Sequence, residues 1–522
     1  MSVVGTDSGV RVAELIGAFS LAIDLGLGQP MEHVLRSWLI AAGVGSRLGL
    51  ASDVRADLYY VSALAWVGCV ADTPELASLF GDDIAYRHDG YELDQVGLPL
   101  LGFMLRHAGA GGSAMQRARA AATLLTNGRA TVQHVIQSHG LVTATMADRL
   151  GLATVRDPLL QLFTRYDGKG VPDLGGDAIA LPMRLYQLAD VVEVVQRDDG
   201  TETAVNVARE RRGTQFDPAV VDAFAVEADE LFDGATASSD WDALLASDTS
   251  LQRRLSEEEL DIALEAIADF TDLRSRSRAG HSRGVAELAA TAAAHAGLPQ
   301  AEVTSVRRAG LVHDIGLHGV PSTIFEKPGP LSRTQWERVR LHAYYRERML
   351  ARPAILARAS AVASMTNERS DGSGYHRGLR GPSIPLAGRL LGAACAFRAM
   401  TEPRAYRAAL TPAQATAELR RDVRTGRFTT DAADAVISAA GQHVGKRQSG
   451  PAGLTPREIE VLRLIARGAS TRRVAENLGV SVKTAGTHIE RIYDKIGAST
   501  RSTAALYAMQ HGLLDTLEPL DL

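Results

Sequence analysis

The sequence predicts an all-α protein. Apolar residues recur at helical spacing along nearly the whole chain, in alanine-rich windows such as VAELAATAAA from Val285. Alternating β-branched runs are almost absent, and no strand longer than a few residues can be read. In the last stretch, start and stop residues bracket four short helices.

A chain of 522 residues is too long for one core and predicts about three domains. With 46% hydrophobic and 22% charged residues, the composition is that of an ordinary soluble protein. The net charge of −5 hides an asymmetry: residues 454–514 hold nine Lys/Arg against five Asp/Glu, leaving about −9 elsewhere. Only the C-terminal segment therefore has the sign for binding nucleic acid. MSVVGTDSGV lacks a basic leader region, and no run of 18 apolar residues occurs. Cys69 and Cys395, 326 residues apart, suggest reduced thiols. Together these predict a cytoplasmic protein with no membrane partner.

The first 250 residues repeat landmarks of the second half. Ser138-His139-Gly parallels Leu341-His342-Ala at an offset of 203. Asp167-Gly-Lys-Gly170 parallels Asp371-Gly-Ser-Gly374 at 204, and Glu32-His33 parallels His281-Ser at 248. Copy one thus carries about 45 extra residues, including Asp72-Thr-Pro and Gly81-Asp-Asp83. Its opening helix is read from Ser20, and Leu181 to Asp190 answers Leu386 to Cys395. Domains are expected over 10–247, 257–445 and 452–515, with polar linkers at 233–240 and 446–453.

The middle region carries His281, then His313-Asp314-Ile-Gly316, His342, Asp371-Gly-Ser-Gly374-Tyr375-His376 and Arg404-Ala-Tyr406-Arg. An adjacent His-Asp pair on a helix, with further histidines on neighbouring helices, is how an all-α bundle builds a divalent metal site. Over nearly 190 residues the segment resembles an HD-GYP domain, an HD-superfamily phosphodiesterase whose members cleave cyclic di-GMP. The resemblance implies a metal set of His281, His313, Asp314 and His342. It also implies departures. Thr366-Asn367 stand where the family has His-His, Cys395 where it has aspartate, Leu317 where it has lysine, and His376 where it has proline. Three lost ligands should abolish a multinuclear centre, so no catalytic residue is assigned and His313 and Asp314 are vestigial. One zinc on His281, His313, Asp314 and Cys395 is compatible with the residue types. The alternative for Cys395 is a small buried hydrophobe in an apolar helix. In copy one Ala65-Trp66-Val-Gly-Cys69 answers the His-Asp pair and Leu162-Phe163 the His-His pair, which leaves His33, His139 and Asp190 as structural residues.

In the tail, Thr455-Pro-Arg-Glu458 is a capping box before a first helix carrying Ile459, Leu462 and Ile465, stopped by Gly468. A second helix runs from Thr471 to Leu478. Ser481 caps a third with Ala485, Ile489, Ile492 and Ile496 inside, and a fourth begins near Thr500. Two helices joined by Gly479-Val-Ser481 form a helix-turn-helix, whose second member enters the major groove. With Leu454-Thr-Pro-Arg-Glu, Ser481-x-x-Thr484-x-x-x-His488 and Lys495-Ile-Gly, the segment resembles the LuxR/FixJ-type DNA-binding domain. Lys483, Thr484, Arg491 and Lys495 are expected on phosphates, flanked by Arg472, Arg473 and Arg501. The resemblance puts Gly486, Thr487 and Glu490 at base-facing positions, with Glu490 able to accept from a cytosine amino group. The alternative is a four-helix protein-interaction module with a solvated basic face.

The expected protein is a DNA-binding transcriptional regulator with a degenerate HD-GYP-like sensory and dimerisation body. Its partners would be double-stranded DNA, a second copy in a homodimer, and a small-molecule or cyclic-dinucleotide ligand. The competing classes are a metal-dependent phosphodiesterase of the cyclic-dinucleotide class coupled to the tail, and a protein-interaction platform.

Overall fold

The computed structural model describes residues 9–91, 93–94, 97–237, 241–351, 356–442, 451–498, 500–511 and 513. Among them the fold is all-α: helices and short 3-10 turns, with isolated β-bridges between Arg11 and Arg254, Arg212 and Phe216, and Arg404 and Arg407. Two compact units emerge, Met1–Gln442 and His443–Leu522. No helix among the described residues is long and apolar enough to cross a membrane.

Within the first unit the two stretches share particular local features. Helix His33–Arg47 begins on a buried histidine after a left-handed residue, Glu32 at φ 80°. Helix His281–His295 does the same after Gly280 at φ 76°. The first backbone N–H groups of a helix have no partner inside it. Asp24 supplies one, accepting from the N–H of Glu32 at 2.7 Å and of Val34 at 3.0 Å. Asp272, 248 residues on, accepts from the N–H and hydroxyl of Ser282, each at 2.8 Å. A second match is steric. A Cβ on Gly316 would lie 2.0 Å from the His342 carbonyl oxygen, and one on Gly68 2.2 Å from that of His139. Only glycine lets the chain pass so close to the next helix.

The extra residues of copy one form helices Thr73–Phe80, Asp83–Asp89 and Gly97–His107, packed with the 36-residue helix Ala114–Arg149. Asp82 caps the second of these by accepting from the N–H groups of Ile84 and Ala85. Phe80, Met104, Ala108, Ala120 and Leu124 give this addition a small core of its own. Asp83, fully buried, ties it to copy two by accepting from Ser322 N at 2.9 Å and Arg274 Nη2 at 3.3 Å.

Three expectations need correction. The opening helix starts at Val12, not Ser20, because Val12, Leu15, Ile16 and Phe19 are buried on it. Most of the expected linker 233–240 is helix Ala228–Ala237, whose buried Phe232 and Ala235, three apart, were masked by polar neighbours. Its remainder, 238–240, lies outside the described residues, as do 446–450 of the second linker. Finally, His313 and Asp314 do not sit within a helix. Helix Gln300–Val312 ends at His313, and a 3-10 turn begins after Asp314.

The second unit matches its expected helices closely: Pro456–Ala466, Thr471–Leu478, Val482–Ile496 and Arg501–Gln510. Thr455 and Glu458 make the reciprocal capping bonds, and Gly479 and Gly497 close their helices in the left-handed region. Val461, Leu462, Ile465, Val474, Leu478, Ala485, Ile489, Ile492, Ala504 and Ala508 form its core.

Candidate metal centre and nucleic-acid interface

Two helix ends and the interior of a third helix bring His281, His313 and Cys395 together, with ligand atoms all within 4.8 Å of one another. His281 opens its helix, His313 closes another, and Cys395 lies on helix Leu386–Thr401. Cys395 Sγ is 3.6 Å from His313 Nε2. Asp314 Oδ2 stands 3.2 Å from the same nitrogen and 3.6 Å from His281 Nε2.

Both imidazoles are oriented from behind. His313 Nδ1 donates to the Gly310 carbonyl at 2.7 Å, which fixes the tautomer and leaves the Nε2 lone pair facing Cys395. His281 Nδ1 bonds Glu402 Oε2 at 2.6 Å. Glu402 is itself held by Arg398 at 2.9 Å and Arg404 at 3.0 Å. Carboxylate and carbonyl partners behind the rings are the usual support of ligating histidines. Burial pushes both imidazoles well below the ordinary histidine range, and the arginine charges nearby push the same way. Burial raises the Cys395 thiol, against the pull of Arg278 and Arg369. Neutral imidazoles are the ligating form, and a bound metal would deprotonate the thiol. The donor set therefore fits a single zinc.

Two guanidiniums that sequence reasoning overlooked change what surrounds it. Arg278 pairs with Asp314, so that carboxylate is already shared with a cation. Arg346, fully buried, donates to the His313 carbonyl at 2.6 Å and to Asn367 Oδ1 at 3.0 Å. Asn367 in turn donates to the Tyr375 hydroxyl at 3.2 Å, and Thr366 bonds back to the Ala363 carbonyl. Where the resemblance implies a His-His pair, the chain thus has a neutral amide bonded to an arginine. His342 stands apart from the convergence. Its Nδ1 is bonded to the Val339 carbonyl, Asn367 is its side-chain partner, and burial lowers it to about 3. The signal for Arg346 was its place four residues after His342, on the same helix face.

In copy one the corresponding polar side chains are held by hydrogen bonds. His33 lies between Glu193, 2.5 Å from Nδ1, and Asp190, 3.2 Å from Nε2. Asp190 also accepts from the Trp66 indole at 3.1 Å and the Tyr186 hydroxyl at 2.9 Å. His139 bonds the Ala65 carbonyl at 2.8 Å and packs against Trp66 and Phe163. No separate ligand cluster forms here among the described residues.

In the second unit Lys483, Thr484, Thr487, Glu490 and Arg491 are exposed together on helix Val482–Ile496, opposite buried Ala485, Ile489 and Ile492. A Cβ on Gly486 would meet nothing within 4 Å, so that position is open to a ligand's approach. Arg472 and Arg473 are exposed on the preceding helix, Arg472 bonded to Glu476 at 3.3 Å. Two of the expected phosphate-binding groups, though exposed, are bonded within the unit. Lys495 Nζ bonds Glu458 Oε2 at 2.7 Å and the Gly453 carbonyl at 3.2 Å. Arg501 donates to the Ala469 carbonyl and to Thr471 Oγ1. Both are spent on joining helices within the unit.

Comparison with known proteins agrees with this division. The HD domain family matches residues 265–431, and the luxR family of bacterial regulatory proteins matches 452–508. The chain is 29% identical over 420 residues to the 3′3′-cGAMP-specific phosphodiesterase 3 of Vibrio cholerae, covering 79% of this chain and 91% of that protein. It is 34% identical over 146 residues to a cyclic di-GMP phosphodiesterase of Thermotoga maritima, covering 28% of this chain and 40% of that one. A crystal structure of the V. cholerae cyclic GMP-AMP-specific phosphodiesterase V-cGAP3 superposes with a TM-score of 0.58 at 26% identity. It spans 83% of this chain and 98% of that one. A match of 420 residues is far longer than the HD segment, so it reaches well into copy one.

Proposed function

From a chain that carries an HD domain and a luxR-family regulatory domain, we propose a DNA-binding transcriptional regulator with a catalytically degenerate, sensory HD-GYP-like body. The observation that carries this reading is the exposed face of helix Val482–Ile496. Lys483, Thr484, Thr487, Glu490 and Arg491 lie there unobstructed on a helix whose other side is core. A recognition helix needs that arrangement: cations for phosphates beside short polar side chains for base edges. The domain limits proposed for the chain are 10–247, 257–445 and 452–515. A homodimer is proposed as well, supported by exposed Leu506 and Met509 at three-residue spacing on the fourth helix. The experiment is duplex binding by segment 452–522, which contains the core of its compact unit, across a salt series. Affinity that ignores salt between low and physiological strength would sink the assignment.

A second reading, hydrolysis of a cyclic dinucleotide at copy two, has its own support in the phosphodiesterase relatives and in the His281–His313–Cys395 convergence. Against it stand Arg346 bonded to Asn367 and Arg278 paired with Asp314. A guanidinium next to the ligands repels a second metal, and the substituted side chains offer it no imidazole. For copy two we therefore propose one structural zinc on His281, His313 and Cys395, with Asp314 as fourth ligand in exchange for its bond to Arg278. Such a closed centre would tie three helices without a free position for water.

A further inference from the structure

Copy one contains a partly open cavity of about 300 Å³, at the small end of the range for sites that take organic ligands. It lies where the resemblance would place a metal cleft, since Trp66, Leu162, Phe163 and Asp190 all line it. The other wall comes from the extra helices of copy one and from the long helix, through Leu79, Phe103, Met104 and Val135. With Trp66 answering the aspartate of the His-Asp pair, and Leu162 and Phe163 the His-His pair, this space is largely apolar.

The polar groups on its wall describe what it would take. Each charged side chain there already has a partner, the exposed Lys169 the loosest. Asp190 is held by His33, Trp66 and Tyr186. Arg87 pairs with Asp72 and Asp83, Arg165 with Asp94 and Asp167, and Lys169 with Asp167. Two buried donors remain without an acceptor among the described residues, the Tyr91 hydroxyl and Arg87 Nε. Tyr91 is only 7% exposed. A buried donor left unpaired costs free energy that a ligand acceptor recovers. An anionic ligand would find only the exposed Lys169, 3.7 Å from Asp167, and a purely apolar one would leave Tyr91 unpaired.

We propose that copy one is a binding site for a neutral, largely apolar small molecule whose carbonyl or ether oxygen accepts from Tyr91. This deepens the sensory reading of the body. It rests on that reading only for any effect on DNA, because occupancy of the cavity is independent of the tail. Arg87 gives the site a connection to copy two. It shares Asp83 with Arg274, and the same carboxylate holds the N–H of Ser322.

The test uses the full chain and three probes of one shape: benzophenone, diphenylmethane, which lacks the acceptor, and 4-benzoylbenzoate, which carries a charge. Benzophenone should bind saturably at one site per chain, and on irradiation should label peptides from 97–107 or 131–136. Tyr91→Phe should weaken benzophenone about fivefold and leave diphenylmethane unchanged, the effect of one hydrogen bond. Val135→Trp should abolish binding of both, with helicity checked by circular dichroism. The conservative Tyr91→Phe remains informative should Val135→Trp unfold the chain. Absence of saturable binding, labelling elsewhere, or binding undisturbed by a folded Val135→Trp would overturn the site. Tightest binding of 4-benzoylbenzoate, or no response to Tyr91→Phe, would overturn the ligand class. DNA affinity, measured separately with benzophenone present, reports on the regulatory reading and not on the site.

Discussion

The sulfur of Cys395 lies 3.6 Å from Nε2 of His313, across 82 residues of sequence. Zinc bonds of roughly 2.3 Å to sulfur and 2.0 Å to nitrogen, set at the tetrahedral angle, put those two atoms about 3.5 Å apart. The observed separation is therefore one that a single ion spans with little rearrangement. We expect purified full-length protein to hold about one zinc per chain by elemental analysis. Cys395→Ser and His313→Ala should each lose it, with a lower melting temperature. Metal-free protein that melts at the same temperature with and without added zinc would reduce the cluster to a packing contact.

Hydrolysis should not accompany that ion. With manganese, iron or magnesium supplied, turnover of cyclic di-GMP or 3′3′-cGAMP should stay at background. The Asn367 amide is bonded to buried Arg346, and Asp314 is paired with Arg278, so a second catalytic metal lacks ligands. Restoring Thr366→His and Asn367→His alone should not rescue activity while Arg346 remains. Turnover by the unmodified chain that disappears in His313→Ala would promote the enzyme reading instead.

The sequence reading reached the helices of the tail to within a residue or two because their caps are chemically explicit: Thr455, Ser481 and Gly479 each perform one local job. His281, His313 and Cys395 were legible as a set because the repeat and the resemblance fixed their places. Their neighbours were not. Arg278 and Glu402 have no periodic or motif signature, and they meet the histidines only through tertiary packing. Lys495 looked like any exposed lysine of a recognition helix, and its bond to Glu458 depends on the crossing of two helices. The cavity was invisible for a similar reason. Its residues read as core in sequence, and the extra helices surround a space without filling it.

Copy one should carry an alkaline weakness. Burial alone would push the His33 imidazole down, but the charge of Glu193 and the bonds to Asp190 and Glu193 outweigh it and raise it from 6.5 to about 10. Asp24, Arg36 and Arg197 are the other charged groups around this pair. A group raised on folding stabilises fully below its unfolded value, and that contribution is lost as pH rises through the folded one. Urea unfolding should therefore show falling stability from about pH 6.5 towards 10. His33→Gln should flatten that slope while costing about 3–5 kcal/mol at neutral pH, because it leaves Asp190 buried without a cation, although Glu193 keeps Arg36 and Arg197. An equal alkaline slope in the variant would count against a charged His33.

On the tail, two lysines of one helix should separate binding from stability. Lys483 is exposed on the recognition face, and no bond to its ammonium is seen among the described residues, whereas Lys495 is bonded to Glu458 and to the Gly453 carbonyl. Lys483→Ala should weaken all duplexes alike and reduce the slope of log affinity against log salt by about one. Lys495→Ala should leave that slope nearly unchanged. It should instead destabilise segment 452–522 by about 0.5–1 kcal/mol, since a half-exposed ion pair is worth little more. Glu490→Lys is different again. Glu490 is exposed beside Thr487, and reversing its charge replaces an acceptor for cytosine with a donor for guanine. Its expected signature is a change in which sequence is selected from a randomised duplex pool, with total affinity for nonspecific DNA raised. A pool selected by Glu490→Lys that matches the unmodified protein's would remove Glu490 from the base-facing set. A salt slope lowered by Lys495→Ala as much as by Lys483→Ala would show that the Glu458 pair opens on DNA.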